Sequence, residues 1–209
     1  INLIVMKNLL HIGCGYKTKK EILEYYNDEW NETRVDVNAD VNPDVVGSMQ
    51  DLSNIKNNFY DSIFSSHSIE HVFAHEVNQV LKGFLNVLNK SGFLVITCPD
   101  IKSISKLIME DKVSEAAYES EAGPINPIDM LWGHSESIKN GNEFMAHKCG
   151  FTKKSLMHAL THAGFKSVAG IEAPKYFDLW AVAHKSKLEK GKFIELVKKI
   201  LKDIGKVAI

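Results

Sequence analysis

A chain of 209 residues is long enough to bury a full core as one domain, and 44% apolar with 24% charged residues excludes wholesale disorder. The net charge of −1 offers no field for nucleic acid or an anionic membrane surface, and no run of about 20 apolar residues exists to span a bilayer. Cys14, Cys98 and Cys149 are odd in number and far apart, so they fit neither a disulfide framework nor a zinc spacing. They read as reduced thiols of a cytoplasmic protein. The apolar opening Ile1–Val5 is too short and lacks the basic start of a signal peptide. Met6-Lys7 would make a natural start, which reads those five residues as an upstream remnant.

Short apolar runs alternate with helical patterns along the chain, the mark of a mostly parallel α/β sheet. Asn8 to Ile12 is the first expected strand and ends in glycines. A weak helical patch spans Glu21 to Tyr26, and Thr33 to Val37 is a second strand carrying an acid near its end. Val45 to Met49 is a short third strand and Asp61 to Ser66 a fourth. From Glu76 to Leu88 the apolar residues Val77, Val80, Leu81, Phe84, Leu85 and Leu88 fall on one helical stripe. Ser91-Gly92 stops that helix, and Phe93 to Cys98 is a strand closed by Pro99. Ile101 to Met109 reads as helix.

Glu110 to Gly150 then breaks the rhythm with glycines, prolines and scattered aromatics. A long irregular segment of this kind is usually a lid or binding loop. Lys153 to Ala163 returns to helix, and Val168 to Ile171 with Asp178 to Ala183 read as an antiparallel hairpin at the sheet edge. Residues 1–185 are therefore expected to form one domain. Residues 186–209 follow as a basic amphipathic helix, its apolar residues on one face from Lys187 to Lys206. It is read as docked on the domain, with a membrane-surface or partner helix as the alternative.

The turn His11-Ile12-Gly13-Cys14-Gly15 directly follows the first strand. Glycines there let backbone approach a ligand where a side chain would collide. Asp36 lies 21 residues past Gly15 at the end of the second strand, where an acid accepts hydrogen bonds from ribose hydroxyls. The third glycine of a dinucleotide fingerprint is missing, with Thr18 in its place among lysines. A nucleoside cofactor without pyrophosphate fits better. Gly47-Ser48-Met49-Gln50-Asp51-Leu52 follows the third strand, where an acid and an apolar neighbour bind an adenine ring, or Asp51 or Ser53 caps the start of a helix.

In this order HIGCG, the acid of RVDVN, GSMQDL, DSIFSSHSIEHV and VLNKSGFLVITCPD resemble the class I S-adenosylmethionine-dependent methyltransferases, in particular the small methyltransferase domain with Glu-His after its fourth strand. The stretch from Gly123 to Thr152 is similar to a bacterial subset without an assigned substrate. The resemblance covers Leu9 to Ala183. It implies a Rossmann-like, doubly wound, seven-stranded, mostly parallel sheet with one antiparallel edge strand. S-adenosylmethionine would lie across the strand ends and leave as S-adenosylhomocysteine. His11, Gly13, Cys14 and Gly15 would form the turn facing its methionine part, with Asp36 and Val37 at the ribose and Asp51 and Leu52 at the adenine. Ser65, Ser66 and His67 would lie near the sulfonium. His11 stands where the family has an acid, and Lys17 where it has a third glycine.

Methyl transfer from a sulfonium needs chiefly positioning, plus a base when the acceptor must lose a proton. His67, Glu70, His71 and His75 cluster past the fourth strand. The His71/His75 spacing does not complete an HExxH motif, so no metal is expected there, and Glu70 and His71 are read as bracing the loop. In the irregular segment Trp132, His134, Asn142, His147 and Lys148 are candidates to roof an acceptor pocket. His67, His134 and His147 are taken as the catalytic candidates. The expected function is methylation of a small-molecule or glycan-type acceptor, without nucleic acid, transmembrane segment or defined oligomeric state. A non-catalytic cofactor- or partner-binding domain and a nicotinamide-dependent oxidoreductase are the alternatives.

Overall fold

The computed structural model describes residues 5–120, 123–202 and 204. Ile1 to Ile4 of the suspected remnant, and the end of the expected C-terminal helix at Gly205 and Lys206, lie outside the described residues. The strands are β1 (Lys7–Ile12), β2 (Trp30–Asp36), β3 (Val45–Val46), β4 (Tyr60–Ser66), β5 (Leu88–Pro99), β6 (Tyr118–Ser120), β7 (Gly123–Ile125), β8 (Ser167–Ala173) and β9 (Asp178–His184). The helices are α1 (Val77–Val87), α2 (Ile101–Met109), α3 (Pro127–Trp132), α4 (Ser135–Lys139), α5 (Lys153–Ala163) and α6 (Lys190–Ile200).

Seven strands form one sheet in the order β3-β2-β1-β4-β5-β9-β8, and β6 with β7 makes a separate hairpin. Strands β1 to β5 run parallel, while β9 is antiparallel to both β5 and β8. The single reversed strand therefore stands one place in from the edge that β8 forms. This is the class I methyltransferase fold. Ile12 lies opposite Val35 of β2 and Ser65 of β4. The residues next in line, Gly13, Asp36 and Ser66, thus emerge together at the carboxyl edge, where the strand order reverses and a crevice opens.

Both sheet faces are covered, which is why the central strands read as continuous apolar runs. On one face Leu10, Ile12, Ile63, Leu94 and Ile96 meet α1 and α5. The stripe on α1 buries Val77, Val80, Leu81, Phe84 and Val87, the 3.6-residue period expressed as packing. Gly164, at φ +126°, ends α5. On the other face Leu9, Phe64, Val95 and Val182 meet Phe193, Val197 and Ile200 of α6.

Three local expectations are corrected. Glu21 to Tyr26 forms no α-helix: only a 3-10 turn at Lys19–Glu21 precedes it. Tyr26 is buried edge-on against Trp30 and Phe64, and its hydroxyl meets Ser62 Oγ at 2.8 Å. This side-chain packing, with isolated turn bonds such as Tyr26 N–H to the Leu23 carbonyl at 2.9 Å, holds the segment. The third strand stops at Val46, because Gly47 N–H already bonds to Asp36 O and the chain turns away. Strand β5 begins at Leu88, through an irregular pairing with Tyr60, so the loop expected at Ser91-Gly92 lies within the strand.

Phe84 is fully buried between α1 and the sheet. Phe84→Ala is expected to destabilise the fold by about 3–5 kcal/mol through lost transfer energy and the cavity left behind. Urea unfolding measures this, and a loss under about 1 kcal/mol would contradict the packing described.

Candidate functional site

The turn after β1 is shaped for a ligand. Gly13 has φ +66° and Gly15 φ +53°, a conformation that favours glycine. A Cβ on Gly13 would lie 2.1 Å from Ser68 Oγ, so backbone and Ser68 meet with no room for a side chain. Asp36 ties the neighbouring loops, its carboxylate accepting Gly15 N–H at 2.8 Å and Asn38 N–H at 2.9 Å. Lone pairs remain for further donors.

These groups open onto a cavity of about 340 Å³, within the usual range for small-molecule sites. Gly13, Asp36 and Val37 line one side, Ser48, Met49 and Gln50 another, and Val72, Phe144, Met145 and Lys148 complete it. An acid, backbone at a glycine turn and apolar surfaces for a flat ring form a donor and packing set that fits a nucleoside sulfonium cofactor.

Several sequence candidates stand elsewhere. His11 is buried beneath the turn and does not line the cavity. Its Nδ1 donates to Glu32 Oε1 at 2.8 Å, and Glu32 Oε2 accepts Lys19 N–H at 2.9 Å. Cys14 is buried off the cavity wall, and burial pushes its thiol up to about 11. Gly15 acts through its N–H bond to Asp36 rather than by lining. Asp51 is exposed and accepts the N–H of Ser53 in a turn, and Leu52 packs inward against Gly83 and the core, while their neighbours Met49 and Gln50 line the cavity. Ser65 is fully buried, and Ser66 pairs with Thr97 Oγ1 at 2.8 Å.

A second cavity, of about 270 Å³, lies beside the first, and His71 and Met145 line both. The segment read as irregular is built of the β6–β7 hairpin, α3, α4 and a turn at Glu143–Met145. It supplies Tyr118, Ile125, Met130, His134 and His147 to this cavity, while β9 supplies Asp178. His134 Nδ1 lies 2.7 Å from Ser137 Oγ. Trp132 and Asn142 are exposed and face neither cavity, whereas Lys148 belongs to the cofactor side with its ammonium over Phe73. Tyr118, Tyr176 and Asp178 were not singled out from sequence; the only mark of Asp178 there is its place opening an apolar strand.

His67, at φ +48°, stands at the rim of this cavity. Its Nδ1 lies 3.4 Å from Glu70 Oε1 and its Nε2 3.3 Å from Asp178 Oδ1. Burial works against its charge, but the bonds and charges of Asp178 and Glu70 outweigh that and push it up to about 10. The Glu70 main-chain carbonyl accepts Lys148 N–H at 2.7 Å and Cys149 N–H at 3.2 Å, so the roof segment is tied to the turn after β4. His75 stacks on Phe73.

Fold and site together define a class: the sheet order, the glycine turn and the strand-end acid are those of class I S-adenosylmethionine-dependent methyltransferases. Residues 10–96 match the family model described as a methyltransferase domain. No curated protein matches the sequence. A SAM-dependent methyltransferase from Archaeoglobus fulgidus is 17% identical at TM-score 0.53, covering 86% of this chain and 86% of that one. The Burkholderia thailandensis 1,6-didemethyltoxoflavin-N1-methyltransferase, seen with 1,6-didemethyltoxoflavin and S-adenosylhomocysteine, is 16% identical at TM-score 0.53, covering 87% and 72%. A Nostoc punctiforme protein whose name proposes an O-methyltransferase is 13% identical at TM-score 0.58; 85% of this chain spans about half, 51%, of its length. At these identities the likeness concerns the fold.

The His11–Glu32 pair beneath the turn makes a prediction of its own. Burial alone would raise the Glu32 carboxyl, but the bonds from His11 and Lys19 N–H hold it below its ordinary value. The stability it contributes is therefore full above the ordinary value of about 4.3 and is lost as pH falls through the lower folded value. Glu32→Gln is expected to cost about 1–3 kcal/mol at pH 7 and less under strongly acidic conditions. Urea unfolding of both proteins across that range measures the gap, and a pH-independent gap would contradict the pairing.

Proposed function

We propose that this chain transfers a methyl group from S-adenosylmethionine to a small-molecule or glycan-type acceptor held in the second cavity. The observation that carries this reading is the meeting of two cavities at the carboxyl ends of the strands, with His71 and Met145 as their common wall. The bound cofactor would supply an activated methyl group on a sulfonium, so the work left to the protein is positioning. Asp36 receives the ribose hydroxyls, the Gly13 backbone stands beside the methionine part, and Ser48 to Gln50 with Val37 flank the base. Tyr118, Ile125 and Met130 give the acceptor apolar and aromatic walls.

His67 has a carboxylate against each ring nitrogen, and the two charges favour its protonated form, which has no lone pair with which to take a proton. It acts as a brace between Glu70 and Asp178, while His134 and His147 are left to meet the acceptor. The Burkholderia relative, which binds a small heterocycle beside S-adenosylhomocysteine, supports the assignment of the second cavity to a compact acceptor.

A thermal-shift series with S-adenosylmethionine, S-adenosylhomocysteine and NADH tests the reading. At about 100 times its dissociation constant a ligand adds about 2.7 kcal/mol, a rise of roughly 5–10 °C for a chain of this size. The rise is expected with the two sulfur nucleosides and is expected to vanish in Asp36→Ala. A response to NADH alone would replace this reading with an oxidoreductase, and no response to any of the three would leave a domain without this cofactor.

Gly13→Ala is expected to keep a cooperative melt while weakening S-adenosylhomocysteine at least about tenfold, a change of 1.4 kcal/mol, because its Cβ has no space beside Ser68. Titration calorimetry reads this, and unchanged affinity would remove Gly13 from the cofactor wall.

A further inference from the structure

We infer that Glu70, His71 and His147 form a binding site for one divalent transition-metal ion at the wall of the acceptor cavity. One ligand atom from each of the three lies within 4.8 Å of the other two. The Glu70 side chain is 1% exposed, and neither of its carboxylate oxygens accepts a hydrogen bond among the described residues. Burying a carboxylate is costly unless it is paired; His67 stands as an ion partner on the Oε1 side, and the rest of the carboxylate is left to a further cation.

The two imidazoles are set to supply the rest of the site. His71 Nδ1 lies 3.1 Å from the Ala146 carbonyl and His147 Nδ1 3.0 Å from the Met130 carbonyl. A carbonyl only accepts, so each Nδ1 carries a proton, and in the neutral ring this leaves the Nε2 lone pair for a metal. A backbone carbonyl holding the far nitrogen is the arrangement that orients metal-bound histidines. The rings stand 4.9 Å apart, centroid to centroid. Two imidazoles and a buried carboxylate thus stand together, one ligand atom of each within 4.8 Å of the others.

The neighbouring cation is His67, whose Nδ1 stands 3.4 Å from Glu70 Oε1 and whose other nitrogen faces Asp178. It approaches a single oxygen of a carboxylate with about four lone-pair positions and leaves both histidines unserved. The backbone is already fixed: Lys148 and Cys149 N–H bind the Glu70 carbonyl, and His147 N–H binds the Trp132 carbonyl at 3.1 Å. Closing to the edge of a tetrahedral site, about 3.3 Å for metal–nitrogen bonds near 2.0–2.1 Å, takes side-chain adjustments of about 1 Å.

Two histidines and one carboxylate leave coordination positions open, as catalytic rather than structural sites do. His71 and His147 both line the acceptor cavity. On the methyl-transfer reading, on which this role rests, an acceptor oxygen or nitrogen takes an open position and loses its proton more readily.

The test uses the whole chain after chelator dialysis, titrated with Co²⁺ and Zn²⁺ by calorimetry and visible absorption, with S-adenosylhomocysteine binding followed on the same samples. One equivalent is expected to bind with a Co²⁺ ligand-field band, and His147→Asn and Glu70→Gln are expected to weaken it at least tenfold while keeping S-adenosylhomocysteine. Should Glu70→Gln lose its cooperative melt, His147→Asn in the roof segment carries the test. The exposed pair His158 and His162 on α5, rings 6.0 Å apart, is the adventitious alternative. No metal uptake by the wild type, or uptake that follows His158→Ala rather than His147→Asn, overturns the inference and leaves the methyltransferase reading intact. Metal uptake through His147 without S-adenosylhomocysteine binding would support the site and remove the cofactor reading instead.

Discussion

The working end of this molecule depends on one carbonyl. Glu70 sits in a short turn after β4, and its main-chain oxygen accepts two N–H groups from Lys148 and Cys149. Those two hydrogen bonds hold a stretch of some forty residues over the strand ends. They act together with the contact of His71 Nδ1 with the Ala146 carbonyl and with the Ile101 N–H bond to the Phe151 carbonyl at the end of the roof. Gly133, whose Cβ would fall 1.9 Å from the Met145 carbonyl, shows how close the backbones come inside this roof. The sheet supplies the crevice; the Glu70 carbonyl turns it into enclosed space.

Much of the fold could be read in advance because its elements carry periodic signals. Strands β1, β4 and β5 are buried on both faces and announce themselves as apolar runs, and α1 announces itself by its stripe. The segment from Glu21 to Tyr26 misled because apolar residues at short intervals also describe an aromatic cluster. Tyr26, Trp30 and Phe64 pack edge to edge, and the backbone follows them. The C-terminal α6 was legible as an amphipathic helix, but which sheet face its apolar side would cover depended on where β9 returned.

The site was legible in proportion to how local its grammar is. Gly13 and Asp36 lie at fixed distances from strand ends, and both line the larger of the two cavities described. Asp51 and Leu52 missed by one or two positions, since a turn can aim any of several neighbouring residues and only backbone geometry decides which. His11 was mistaken for a ligand-side group because its partner, Glu32, comes from the adjacent strand and no spacing rule reveals that pairing. Asp178 comes to His67 and Glu70 from more than a hundred residues away, and the pairing of His71 with His147 joins residues 76 positions apart. Such meetings are products of topology, invisible until the chain is folded.

The common wall has an energetic meaning. His71 and Met145 face both cavities, so the two are not independent containers. Any occupant that turns His71 or presses on Met145 from one side alters the free energy of filling the other. Thermodynamic linkage makes that influence equal in the two directions. A molecule built this way registers whether its first guest is present before it admits the second, with no moving domain required.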